Sequence, residues 1–330
     1  MTVLVPVSIA LVPITALGCA VYARSMRRRG VGQQIRESGP RGHAAKAGTP
    51  TMGGLFVLAA WTIAVIGLAT TIGAWARPIG FALAAGAAHG AIGLLDDLQS
   101  IRRLRSLGLT APWKILLGSV AAAALFFAFR DVVSVPQRVP FSPIVLTLPP
   151  AATFALVWIG LLATTNSLNL SDGLDGLAGG LAALVLIGLL ALAPSQSTLL
   201  TVAPLLGALL GFLWMNAHPA RIFLGDVGSF GIGAIVAAVA LSTGTVLFLP
   251  LLAGVLVLEA ASVILQVGVY RIARIRLFKM SPLHHHFERS SRTDVRPVLP
   301  AFEWPETLVT VRFLLAEALF VALALWGGAW

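Results

Sequence analysis

Residues 166 to 180 read Asn-Ser-Leu-Asn-Leu-Ser-Asp-Gly-Leu-Asp-Gly-Leu-Ala-Gly-Gly, and there polar groups interrupt two long apolar runs. Asp172 and Asp175 stand three apart, so a helix over the downstream run would carry both on one face of its first turn. Carboxylates in that place suit the positive end of a helix dipole. Asn169, Ser171 and Asp172 are N-cap types, while Gly173 and Gly176 let a ligand or another helix approach the backbone. The bland alternative is a capped hairpin, but a hairpin needs far fewer carboxylates, asparagines and glycines.

Four other stretches carry comparable chemistry. Asp96 and Asp97 close the run Gly93-Leu-Leu-Asp-Asp-Leu98; adjacent carboxylates repel, and a cation that neutralises them is the natural remedy. Asn216-Ala-His-Pro-Ala-Arg-Ile-Phe-Leu-Gly-Asp226-Val-Gly-Ser places Asp226 at a helix start, with Gly225, Gly228 and Ser229 beside it, an arrangement that also presents backbone amides to phosphate. Met280-Ser-Pro-Leu-His-His-His-Phe-Glu288 holds His284, His285 and His286. Neighbouring side chains diverge, so the run does not define a chelate, but imidazole beside phosphate is plausible chemistry. Lys46-Ala-Gly-Thr-Pro-Thr-Met-Gly-Gly54 offers Lys46, Thr49 and Thr51 to phosphate oxygens at the mouth of an apolar run.

The elements that must position these groups are membrane helices. Hydrophobic residues make up 58% of the 330 and charged residues 11%, with mean hydropathy +0.91, which sets aside a soluble protein. Ten windows can each cross a bilayer: about 3–23, 52–73, 79–96, 112–130, 150–168, 174–193, 198–215, 228–246, 248–270 and 308–328. The apolar runs are continuous, not alternating, so helices are expected and a barrel is not. The expectation is one all-α membrane domain over residues 1–330. No basic residue precedes the first run and four arginines follow it closely, so it reads as an uncleaved span. The single cysteine, Cys19, lies in that span and excludes an intrachain disulfide framework.

The net charge of +10 is distributed by side. Loops 24–51, 97–111, 169–173, 216–227 and 271–307 hold most of the 23 lysines and arginines; the opposite set holds little beyond Arg77 and Arg138. The positive-inside rule then makes the basic set cytoplasmic, with both termini outside. Every candidate stretch falls on that cytoplasmic side. Glu259 and Gln266 lie seven apart in the ninth window. Glu259, like His89 and Glu317, is read as a structural hydrogen-bonding group facing the bundle interior, and Gln266 as a site candidate.

Taken in order, Lys46-Ala-Gly-Thr-Pro-Thr-Met-Gly-Gly, Leu-Asp-Asp, Asn-Leu-Ser-Asp-Gly-Leu-Asp-Gly-Leu-Ala, Gly-Asp-Val-Gly-Ser and Pro-Leu-His-His-His-Phe-Glu closely resemble the motifs of the phospho-N-acetylmuramoyl-pentapeptide transferases. These are the MraY translocases of bacterial peptidoglycan synthesis, within the polyprenyl-phosphate N-acetylhexosamine-1-phosphate transferases. The similarity spans residues 31 to about 289 and resumes in the last span. It implies a dimer of ten-helix subunits in the bacterial plasma membrane that makes lipid I and UMP from UDP-MurNAc-pentapeptide and undecaprenyl phosphate, with Mg²⁺. Matching positions imply that Asp226 ligates the metal and that Asp96 and Asp97 serve catalysis or the lipid phosphate. Lys46, Asn169, Asp172 and Asp175 would line the nucleotide site, with Phe223 on uracil. Thr51, Asn216, Gly225, Ser229, Gln266, His285 and His286 would complete the pocket, with His284 in a catalytic place. The His-His-His run favours this branch over transferases that use UDP-GlcNAc, the alternative enzyme; a secondary transporter is the remote alternative. Arg221 departs from the family pattern, and residues 289 to 302 read as an inserted flexible loop before Trp304-Pro-Glu.

Overall fold

The computed structural model describes residues 2–29, 48–103, 108–289 and 296–330. In these, ten helices fall on the ten apolar windows: α1 Leu4–Arg28, α2 Gly53–Ile72, α3 Arg77–Arg103, α4 Ala111–Ala128, α6 Pro150–Ser171, α7 Leu177–Leu192, α8 Gln196–Asn216, α9 Gly225–Ser242, α11 Gly254–Ala273 and α13 Glu306–Gly327. Among the described residues, nine of these are long and apolar enough to cross a membrane, and α7 is shorter at 16 residues. Three four-residue pieces lie between them: α5 Arg130–Val133, α10 Leu249–Leu252 and α12 His284–Phe287. The ninth window is thus broken: the chain leaves helical geometry at Ala253 (φ −121°, ψ 41°) before α11 begins.

A small hairpin, β1 Gln137–Arg138 with β2 Val145–Leu146, was not legible as an apolar window. It clamps the rim away from the carboxylates. Arg138 donates to the carbonyls of Leu192 and Gly328 at 3.1 and 2.7 Å, and Phe141 N donates to Gly327 O at 2.8 Å.

Inside a bilayer, apolar contact between helices gains little over contact with lipid, so close backbone packing through small residues decides which helices meet. The sequence of α9, Gly-Asp-Val-Gly-Ser-Phe-Gly-Ile-Gly-Ala-Ile-Val-Ala-Ala-Val-Ala-Leu-Ser, is built for that, and nearly all of it is buried. α3 runs antiparallel to it through Gly86, Gly90 and Gly93; a Cβ on Gly93 would stand 2.1 Å from Asp226 O. α2 crosses at Gly54, where a Cβ would stand 2.0 Å from Gly228 Cα, and α6 at Thr165 against Gly233. A second seam joins α8 to α1, with Gly207 and Gly211 facing the carbonyls of Ser8 and Val12.

The helices alternate in direction, so the C-terminal ends of α1, α3, α6, α8 and α11 share one rim with the N-terminal ends of α2, α4, α7, α9 and α13. Several polar groups in the spans find at least one partner, which offsets the cost of placing them there. His89 Nδ1 meets Ala85 O, Glu317 Oε2 accepts from Val255 N at 2.8 Å, and Trp61 Nε1 donates to Thr201 O at 2.8 Å.

Candidate active site

The rim that carries the basic residues also gathers the carboxylates. Asp226 sits in the first turn of α9 and its carboxylate takes two contacts, one from each of two helices. Lys114 Nζ of α4 lies 2.5 Å from its Oδ2, and Asn169 Nδ2 of α6 donates to its Oδ1 at 2.8 Å and to Ser229 Oγ at 3.0 Å. Lys114 also lies 3.1 Å from Asp96 Oδ1, which accepts Leu109 N at 2.6 Å. Asp97, next in sequence, turns the other way. Its two oxygens accept the amides of Asp226 and Val227 at 3.2 and 3.0 Å, capping α9 where its dipole favours an anion. The adjacent acids therefore avoid one another, one taking an ammonium and the other a helix end.

A short backbone ladder joins two of the motifs. Phe223 N donates to Pro50 O, and Gly53 and Gly54 donate to the carbonyls of Phe223 and Leu224, at 2.8–2.9 Å. The Thr-Pro-Thr-Met-Gly-Gly segment and the Phe-Leu-Gly-Asp segment are thereby one unit, with the first amides of α2 satisfied. Gly225 has φ +77°, and a Cβ there would lie 2.8 Å from Asp97 Oδ2 and 2.9 Å from Thr51 Oγ1. Only glycine fits both the conformation and the space. Thr51 thus borders the carboxylate cluster, while Lys46 lies outside the described residues.

Asp172 and Asp175 do not share a helical face. α7 begins at Leu177, and the two acids lie in the turn before it. Gly176, at φ +76°, and Gly173 let the chain turn too tightly for the helix to start earlier. Asp172 reaches Gly225 N at 3.2 Å. Asp175 points elsewhere: its Oδ2 meets His218 Nδ1 at 3.0 Å and Ala220 N at 2.9 Å, and its own amide donates to Glu306 Oε1 at 2.8 Å. Asn216 locks this corner, accepting from Gly176 N and donating to Ile222 O. Ligand atoms of Asp175, His218 and Glu306 lie within 4.8 Å of one another, a spacing that the His218–Asp175 hydrogen bond already accounts for.

The three histidines take different partners, although the rings of His284 and His285 lie with centroids 4.1 Å apart. His284 is fully buried; its Nδ1 and amide meet Glu259 at 3.1–3.4 Å. Its Nε2 has no hydrogen-bond partner among the described residues and faces Gly173, where a Cβ would lie 2.3 Å away. Glu259 therefore keeps its expected structural role and orients this imidazole. His285 pairs with Glu288 at 2.8 Å. His286 accepts from Lys279 N at 3.0 Å and meets Pro300 O at 3.1 Å; burial pushes its pKa below the ordinary histidine value, with the Pro300 carbonyl opposing the shift. Gln266 accepts Phe278 N at 2.9 Å, anchoring the same segment to α11.

Of the inserted stretch, residues 290–295 lie outside the described residues; across it Arg289 N donates to Trp304 O at 2.9 Å, and Phe287 stacks on Trp304. The carbonyl of Arg221 accepts from Arg27 Nη2 at 2.8 Å.

Three connected groups result: Asp96, Asp97, Asp226, Asn169, Ser229, Gly225, Asp172 and Thr51 around the start of α9; Asp175 and Asn216 beside it, with Phe223 half-buried near both; and His284, with Gln266, His285 and His286, behind the Gly173 turn. Lys114 is the residue that sequence reasoning missed, together with His218 and Glu306. Its signal was present: an ammonium inside an apolar window is costly unless a carboxylate meets it. Chemically, the first group offers several oxygen donors and one ammonium in a partly enclosed cleft. Hard carboxylate oxygens of this kind suit Mg²⁺, and the ammonium bridging Asp96 and Asp226 marks where a positive charge is already stabilised.

Comparison with known proteins agrees with this geometry. The family profile described as Glycosyl transferase family 4 matches residues 79–244, and phospho-N-acetylmuramoyl-pentapeptide-transferase signature 1 matches residues 46–58. The phospho-N-acetylmuramoyl-pentapeptide-transferase of Moorella thermoacetica is 43% identical over 97% of this chain and 96% of its own length. Those of Frankia alni and Bacillus pumilus are 37% and 36% identical, covering 98% and 96% of this chain and 96% and 95% of their own. Similarity of that extent, along a chain whose motif-bearing segments also meet in space, places this multi-pass membrane protein in the phospho-N-acetylmuramoyl-pentapeptide-transferase family.

Proposed function

We propose that the chain transfers phospho-MurNAc-pentapeptide from UDP-MurNAc-pentapeptide to undecaprenyl phosphate, giving lipid I and UMP at the cytoplasmic face of a bacterial plasma membrane. The observation that carries this reading is the convergence of Asp96, Asp97, Lys114, Asn169 and Asp226 from four helices at the rim where the basic loops lie. Both termini, on this reading, face outward. The family resemblance supports a homodimer.

Asp226 would hold Mg²⁺, with Asn169 fixing the direction of its carboxylate and Asp96 supplying a neighbouring oxygen. The ion, when bound, neutralises diphosphate charge and makes phosphorus more electrophilic. Lys114 offers the ammonium that meets phosphate oxygens. Asp97, committed to two amides, holds the start of α9 in place, so the cluster is set before substrate arrives. Phe223 stacks on uracil, and Lys46, Asp172 and Asp175 line the nucleotide side. His284, aimed at the Gly173 turn, contributes to the pocket from behind.

The acceptor is a phosphate monoester with second pKa near 6, largely dianionic at neutral pH, so direct attack on the sugar-linked phosphorus needs no strong base. Positioning and charge stabilisation then carry most of the rate. A covalent phosphosugar trapped on the protein without lipid acceptor would overturn direct attack in favour of a two-step route. The donor is tested with purified protein by UMP release: UDP-MurNAc-pentapeptide should support turnover and UDP-GlcNAc should not. Equal or faster release from UDP-GlcNAc would move the chain to the HexNAc-1-phosphate branch.

A further inference from the structure

α11 runs out in Tyr270-Arg271-Ile272-Ala273-Arg274-Ile275-Arg276, with basic and large apolar side chains interleaved at the rim that holds Asp226. The helix closes at Arg274, whose φ is 57°. Ile272 is 89% exposed and Ile275 48%. The guanidinium carbons of Arg274 and Arg276 lie 5.6 and 5.0 Å from the Tyr270 ring centre. Two like charges are thus drawn to one ring, and among the described residues neither forms an ion pair with a carboxylate.

The patch continues onto residues 298 and 299. Val298 N donates to Arg276 O at 2.9 Å and Leu299 N to Leu277 O at 3.1 Å, which sets two more exposed aliphatic side chains beside the first pair. It is also tied to the site. Pro300, the next residue, carries the carbonyl that meets His286, and Phe278 is held by Gln266.

An apolar patch of this kind calls for a cover, while its arginines exclude the hydrocarbon interior. The layer that accepts both is the headgroup region: aliphatic side chains reach the acyl boundary, guanidiniums meet phosphate, and tyrosine suits the interface. Paired guanidiniums are the preferred donors to a phosphodiester. We propose that this surface docks into the anionic headgroup layer of the membrane that the chain spans, with Arg274 and Arg276 sharing a phospholipid phosphate over Tyr270. The His-bearing segment from Lys279 to Glu288, with residues 298–300 beside it, is then held against the bilayer surface as well as against α11. This inference rests on the membrane placement and not on the transferase reading, so either can fail alone.

Cys19, the single cysteine, is buried, which lets Ile275→Cys be labelled selectively with a bimane fluorophore in the full chain. The protein is reconstituted in phosphatidylcholine vesicles with and without phosphatidylglycerol. The label should be quenched by lipid brominated near the headgroup and shielded from aqueous iodide, and more so with phosphatidylglycerol. Adding Arg274→Gln and Arg276→Gln should shift it toward iodide by roughly fivefold per arginine in docked-to-free ratio, as should high salt. The comparison of vesicles needs no charge variant, so it stands even if the double variant folds poorly. Iodide access that ignores phosphatidylglycerol overturns the proposal. So does shielding from iodide without bromolipid quenching, which would mean that a second copy or another protein covers the patch.

Discussion

Lys114 and Asp226, 112 residues apart in sequence, meet at 2.5 Å, and the same ammonium reaches Asp96 at 3.1 Å. One cation thus sits between two carboxylates contributed by α3 and α9, at the point where the proposed diphosphate chemistry must occur. Lys114→Met keeps the side-chain length and removes the charge. The expected loss in turnover is about 10²–10³-fold, the scale for removing one preorganised electrostatic contact, with the thermal transition little changed. UMP release within about twofold of the parent protein would leave Lys114 with a structural role only.

The glycine seam between α3 and α9 predicts a second outcome. Gly93→Ala must push its methyl into Asp226 O, 2.1 Å from the ideal Cβ position. Overpacking of this kind costs about 1–3 kcal/mol or more, and here it also displaces the acid that anchors the site. Gly67 meets nothing within 4 Å of its Cβ position, so Gly67→Ala should be neutral or gain a few tenths to about 1 kcal/mol from helix propensity. Thermal unfolding of the two variants in the same detergent checks the contrast; equal midpoints would contradict the seam.

His286 predicts an acid-labile segment. Its Nδ1 accepts the Lys279 amide and so must be unprotonated, and burial lowers its pKa in the folded chain. The unfolded state therefore binds the proton more readily, and the contribution to stability is present above the ordinary histidine pKa of about 6.5. It is lost as pH falls through that value and then through the lower folded one. Hydrogen exchange at Lys279 N, corrected for intrinsic rates, should accelerate as pH drops below about 6.5. His286→Gln should remove most of that pH dependence. An exchange profile that is flat in pH would show that the imidazole does not govern this segment.

Helix number and the grouping of the candidate residues were legible because both rest on local signals. The ten apolar windows became the ten long helices, and Asp96, Asn169 and Asp226 all lie at window edges, where polar groups leave the hydrocarbon. Partner choice was less legible. Lys114 was hidden because a single charge barely alters the mean of an apolar window, although its cost pointed to a partner. The spacing of Asp172 and Asp175 predicts one helical face, but the glycines among them delay the helix and the two carboxylates turn to different neighbours. The hairpin at Gln137–Arg138 escaped because its first strand and its turn are held by backbone contacts of Arg138 with Gly244 and of Phe141 with Gly327, far along the chain.

The enclosure of α9 by α2, α3 and α6 has a consequence for how the protein meets bilayers of different thickness. Hydrophobic mismatch acts on helices that touch lipid, tilting or bending them. α1, α4, α11 and α13 present broad exposed apolar faces and would absorb such strain. α9, sheltered from acyl chains, would not, and the depth of Asp226 should stay constant as the surrounding membrane thins or swells.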